Sequence, residues 1–214
     1  MASKVTLKSN QRILFIGDSI TDCGRREAAY SPFGFGYVNF LANFLLARYP
    51  HLNLNIINRG IGGNTIRDLK IRWERDCIGL KPDVLSILIG INDLWRGHSG
   101  EEKLHEAVYI NEYESTYREL LRQVKEKLDC QVILIEPFML CDDAENEMFK
   151  GLSSYREVVK EMAEEIGGIL VPLQKFIDEG IKKVSAERWS DDMVHPHVWV
   201  HAWIAQQWFE ITGI

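Results

Sequence analysis

Hydrophobic positions along the chain fall into two alternating textures. Short, nearly unbroken apolar runs occur at RILFIG (12–17), LNLNIIN (52–58), DVLSILIG (83–90), QVILIEPF (131–138) and GILVPL (168–173). Runs of this length, rich in Ile, Leu and Val, suit strands buried on both faces. Between them, apolar residues recur at helical spacing in 36–49, 65–78, 111–128 and 148–166, and a last helix is expected over most of 197–211. Such alternation predicts a parallel sheet with helices on both faces, a doubly wound, three-layer α/β sandwich. No repeat, low-complexity tract or linker interrupts it, so one domain over 1–214 is expected.

Open sheets of this kind build their sites at the carboxyl ends of the strands. Three of the expected exits are rich in small and polar residues: Gly17-Asp18-Ser19, Asn58-Arg59-Gly60-Ile61-Gly62-Gly63, and Gly90-Ile91-Asn92-Asp93. The candidate chemistry therefore gathers at one edge of the molecule.

Composition narrows the class of partner. The 214 residues carry a formal charge of −6, which argues against nucleic acid or an anionic membrane as the main partner. No window approaches the roughly 20 apolar residues that span a bilayer, and the first residues lack the run and cleavage site of a signal peptide. A cytoplasmic protein with reduced Cys23, Cys77, Cys130 and Cys141 is the expectation. Cys23 lies close enough to Ser19 to be weighed as a nucleophile, but no second motif supports it.

Ser19 is the better nucleophile if the chain also supplies a base, a group to orient that base, and oxyanion donors. The segment SDDMVHPHV (190–198) offers Asp192 and His195 three residues apart, so one carboxylate can bond one imidazole nitrogen while the other faces Ser19. Asp191 would break that spacing. The glycine loop 60–63 can aim a backbone N–H, with Gly62 and Gly63 both candidates; Asn92 can add its amide and Ser19 its own N–H. Each signal alone has an ordinary structural reading: Gly-Asp-Ser is turn chemistry, and Asn-Asp at a strand end is commonly a cap. The weight lies in finding them together at successive strand ends. There is no GxSxG elbow, no HExxH or paired CxxC, and no GxGxxG followed by an acid, so no metal or dinucleotide cofactor is expected.

Four blocks carry a family resemblance: Gly17-Asp18-Ser19-Ile20, Asn58 through Thr65, Gly90-Ile91-Asn92-Asp93, and Asp192-Met193-Val194-His195-Pro196. The sequence resembles the SGNH hydrolases of the GDSL esterase and lipase group from about residue 11 to 205. The stretches LFIGDSITDCGR, GNTIRDLKIRWERD and KPDVLSILIGINDLWR are most similar to bacterial serine acetylxylan and acetyl esterases. The resemblance implies a flavodoxin-like sheet of about five strands, Ser19 as nucleophile, His195 as base, Asp192 as its orienting partner, and Ser19, Gly63 and Asn92 as oxyanion donors. It implies no cofactor. It departs from the family after Pro196, where Trp199 and Val200 stand in place of small residues before His201.

The substrate is less legible. A sugar ring packs on aromatic faces, so Trp95, after the Asn92 block, and Trp189, before the Asp192 loop, are candidate contacts together with Asp18. Trp73, Trp203 and Trp208 read as packing residues, as do His197 and His201, while the acidic stretch 141–149 reads as a solvated loop. An acetylated oligosaccharide or small ester is the expected partner. The alternatives are longer acyl esters or thioesters of the lysophospholipase type, and an inactive binding module on the same fold. Trp199, Trp203 and Trp208 at spacings of four and five suggest either a core stripe or a surface for self-association.

Overall fold

The computed structural model describes residues 4–214. Five strands form one all-parallel sheet in the order β2-β1-β3-β4-β5: β1 (Arg12–Gly17), β2 (Asn55–Gly60), β3 (Val84–Leu88), β4 (Gln131–Ile135) and β5 (Ile169–Val171). This is the flavodoxin-like order, in which the chain leaves β1 toward one edge and returns on the other side at β3. Gly17 pairs with Gly60 on one side and Leu88 on the other, so three strand tips lie level at that reversal.

Among the described residues, eight α-helices complete the layers: α1 (Ser19–Asp22), α2 (Tyr37–Arg48), α3 (Ile66–Asp76), α4 (Ile91–Trp95), α5 (Ile110–Lys127), α6 (Glu147–Ile166), α7 (Leu173–Ile181) and α8 (Val198–Thr212). α2 packs with α8, while α5 packs with both α3 and α6. The apolar runs vanish between the layers, as central strands covered on both faces must. Phe15 of β1 lies 5.8 Å, ring to ring, from Trp208 of α8, and the Trp208 indole donates to Ser86 Oγ at 3.2 Å. Burying one such ring stabilises by roughly 1.5–3 kcal/mol. Trp208 is thus core, whereas Trp199, in the first turn of the same helix, is 45% exposed.

The ends of elements differ from the sequence reading for local reasons. β2 starts three residues later than expected because Pro50–Leu52 winds into a 3₁₀ turn. β4 stops at Ile135, yet Phe138, Met139 and Leu140 remain buried outside the ladder. β5 stops before Pro172, which has no N–H for a ladder bond. Helix α7 was not expected. No described helix is long and apolar enough to cross a membrane, and the four cysteines are free thiols.

Candidate active site

Strand β1 ends at Gly17, and Asp18 turns the chain into α1 by accepting the Ile20 N–H at 3.0 Å. Ser19 is the first residue of that helix, so its N–H has no partner within the helix. The short helix lies against the tip of β2, where glycine is required: a Cβ on Gly60 would stand 2.1 Å from Asp22 N.

The segment before α8 brings the base. Ser190 and Pro196 form an antiparallel bridge that closes a loop, and the Leu140 N–H pins its apex by donating to Met193 O at 2.7 Å. Inside the loop, Asp192 Oδ1 accepts the Val194 and His195 N–H groups and the Ser190 hydroxyl. Asp192 Oδ2 lies 2.6 Å from His195 Nδ1, and His195 Nε2 lies 2.9 Å from Ser19 Oγ. Partial burial raises the Asp192 pKa, but bonds from the His195 ring, the two backbone N–H groups and Ser190 outweigh it and hold the carboxyl at about 2. The carboxylate is therefore ionised and bonded to Nδ1, the tautomer that leaves Nε2 free to accept a proton from Ser19. The His195 and Asp192 side chains are 46% and 42% exposed, which makes the centre an open notch at the strand tips.

In the glycine loop after β2, most backbone N–H groups are already bonded within the protein. Ile61 N–H is bonded to Gly17 O, Gly62 N–H to Asp22 Oδ2 at 3.0 Å, Asn64 N–H to Ile61 O, and Thr65 N–H to Asp68 Oδ2. Gly63, at φ +77°, is left as the N–H of this loop with no bond among the described residues. Asn92, in the first turn of α4, spends one amide hydrogen on Asn64 O at 3.1 Å and keeps the second. The arrangement can pass a proton from a serine hydroxyl to an imidazole and can offer N–H groups to a developing oxyanion.

Of the three tentative substrate contacts, one stands at the centre. The Trp95 ring lies 5.8 Å from the His195 ring. Asp18 is fully buried, where its side chain caps α1, and burial pushes its carboxyl up to about 7. Buried Asp93 behaves likewise, at about 8, and accepts the Ile66 N–H at the start of α3. Trp189 is 2% exposed, packs on Trp199 and Trp203, and donates its indole N–H to Val184 O. Asp18 and Trp189 are thus corrected from substrate contacts to supports of the loops that carry Ser19 and His195. Burial pushes the Cys23 thiol up to about 12, so it stays protonated and poorly nucleophilic at neutral pH. His201 is buried with Nε2 3.6 Å from Cys23 Sγ.

Sequence reasoning missed Asp22, which occupies the Gly62 N–H, and Arg96, whose Nη2 donates to Gly63 O at 3.3 Å. Asp22 could have been suspected from its place one turn after Ser19; Arg96 left no such signal.

The GDSL-like Lipase/Acylhydrolase family model matches residues 15–203, and the chain belongs to that family. It is a serine carboxylic-ester hydrolase. The chain is 40% identical over 209 residues to an acetylxylan esterase of Geobacillus stearothermophilus, covering 96% of this chain and 95% of that one. The crystal structure of Axe2, an acetylxylan esterase of that organism, superposes with a TM-score of 0.92 at 38% identity, over 98% and 97% of the two chains. LAE5, described as an alpha/beta hydrolase enzyme from the metagenome of Lake Arreo, is 33% identical with a TM-score of 0.90, over 97% of each chain. Axe2 has been solved as catalytic mutants with a serine, an aspartate or a histidine changed to alanine, and its aspartate precedes the histidine by three residues, the spacing of Asp192 and His195.

Proposed function

We propose that this chain removes acetyl groups from xylo-oligosaccharides through a Ser19–His195–Asp192 triad and an acyl-enzyme. The observation that carries the reading is the unbroken relay from Ser19 Oγ to His195 Nε2 at 2.9 Å and from His195 Nδ1 to Asp192 at 2.6 Å. As Ser19 Oγ attacks the acetyl carbonyl, its proton passes to His195 Nε2. The carbonyl oxygen, now negative, takes hydrogen bonds from Ser19 N–H, Gly63 N–H and the second Asn92 amide hydrogen. Preorganised donors of this kind act where charge develops and need no reorganisation during reaction. The C–O bond to the sugar breaks as the sugar oxygen takes the proton from His195. Water, deprotonated by His195, then attacks the acetyl-serine and releases acetate. Asp192 holds the ring and stabilises its charged form throughout.

The substrate assignment rests on the acetylxylan esterase relatives and on the openness of the notch, which suits a bulky sugar leaving group carrying a small acyl group. Trp95 beside His195 supplies an aromatic face for a pyranose ring. In Axe2 a tryptophan stands directly before the catalytic aspartate; this chain has Asp191 there, 94% exposed, so the rim differs in charge between the two. The test is acetate release from acetylated xylo-oligosaccharides, with Ser19→Ala as the blank. Ser19-dependent release faster than from octanoyl esters is expected. Faster turnover of the octanoyl esters would overturn the acetyl assignment and leave a longer-chain acylhydrolase.

A further inference from the structure

We propose that Arg96 is a positioning residue that fixes the orientation of Gly63, the backbone donor of the oxyanion loop. The inference rests on the esterase reading above and extends it to a residue outside the motif blocks.

The need arises from Gly63 itself. Its φ of +77° is open to glycine, which leaves the peptide planes on either side free to turn at little cost unless something holds them. On the upstream side, Asp22 Oδ2 fixes the Gly62 N–H. On the downstream side, Asn92 holds Asn64 O, and the Arg96 guanidinium holds the carbonyl of Gly63 at 3.3 Å. The guanidinium lies against Gly63 closely enough that a Cβ there would stand 3.1 Å from Nη2.

Arg96 is itself held. Its Nε pairs with Glu106 Oε2 at 3.3 Å, and the side chain is 26% exposed, so the planar head group is anchored through Nε and reaches Gly63 through Nη2. It directly follows Trp95, whose ring faces His195, and ends the short helix that carries Asn92. One turn-and-a-half of chain thus supplies an oxyanion amide, a ring beside the base, and a clamp on the loop opposite. The fixed positive charge one residue from the Gly63 N–H also favours negative charge at the oxyanion more than it favours the neutral ester. Both effects belong to the transition state, so they raise kcat rather than lower KM.

The experiment is steady-state hydrolysis of p-nitrophenyl acetate, which does not depend on the sugar assignment, by the wild type, R96A and R96K, with thermal melts of each. Complete loss of one oxyanion donor costs about 10²–10³-fold in kcat, so a loosened donor in R96A should cost about tenfold or more with KM within about twofold. R96K should fall between the two, and added guanidinium should restore kcat to R96A at concentrations that do nothing for the wild type. R96A with kcat within about twofold of wild type would overturn the proposal. So would a loss that follows the fall in melting temperature and is rescued by neither lysine nor guanidinium. Whether hydrolysis disappears in Ser19→Ala tests the underlying esterase reading separately, because it does not involve the ratio of R96A to wild type.

Discussion

Replacing Asn92 by alanine removes two interactions at once, and the structure says how large each should be. The amide is buried; one hydrogen is spent on Asn64 O at 3.1 Å, and the second is the proposed side-chain donor to the oxyanion. Losing one oxyanion donor costs about 2.7–4 kcal/mol of transition-state stabilisation, or roughly 10²–10³ in kcat. Losing the bond to Asn64 leaves a carbonyl without its partner, at about 1–3 kcal/mol of folding stability. For a chain of this size each kcal/mol lowers the melting temperature by roughly 2–4 °C. The assay is kcat and KM on p-nitrophenyl acetate beside a circular-dichroism melt. The expected result is a kcat loss of at least about a hundredfold, KM within about threefold, and a melt lowered by several degrees. Asn92→Asp separates shape from donation, since the carboxylate fills the same space but offers no hydrogen and places negative charge where the oxyanion forms. It should be at least as inactive as the alanine variant. If N92A keeps more than about a third of wild-type kcat, the three-donor oxyanion hole is wrong.

Two further predictions concern charge. Asp192→Asn keeps the shape of the loop but presents an NH₂ to His195 Nδ1, forcing the proton onto Nε2, where it faces Ser19; kcat should fall by about 10⁴ with KM little changed, and a loss under about tenfold would contradict the relay. His201 is held neutral, its pKa lowered from 6.5 to about 4 by burial and by His195, so its contribution to stability is complete above pH 6.5 and is lost as pH falls toward 4. The loss is about 3 kcal/mol across that window. Buried Asp18 and Asp93 run the other way, binding protons more tightly when folded, so the quantity to measure is the difference between wild type and His201→Gln in urea denaturation at pH 4.5 and 7.5. A pH-independent difference would refute the assignment.

The local motifs were legible because each lies within one short stretch. Gly17-Asp18-Ser19 and the three-residue step from Asp192 to His195 fix their own geometry through a helix cap and a closed loop, and the alternating apolar runs expose the layer order. What was not legible depends on contacts between distant parts of the chain. The Gly62 N–H is occupied by Asp22, forty positions from it in sequence. The clamp from Arg96 to Gly63 crosses thirty-three positions. Trp189 and Asp18 looked like site residues because they neighbour site residues, but adjacency in a turn sends successive side chains in different directions, and both of these turn inward. Helix α7 has only two buried apolar positions, Leu173 and Ile177, and follows directly on β5 and Pro172, too few to mark a helical period in the sequence.

The proposed mechanism requires Ser19 to form the covalent intermediate with His195 as its base. The direct measurement is peptide mass spectrometry after exposure to a fluorophosphonate ester, which phosphonylates an activated serine irreversibly with loss of fluoride. The expected result is one phosphonyl group, on the peptide carrying Ser19 in the wild type, and its absence in Ser19→Ala, with labelling strongly slowed in His195→Ala. A label on Cys23 or another residue, or labelling of Ser19 at equal rate without His195, would contradict it.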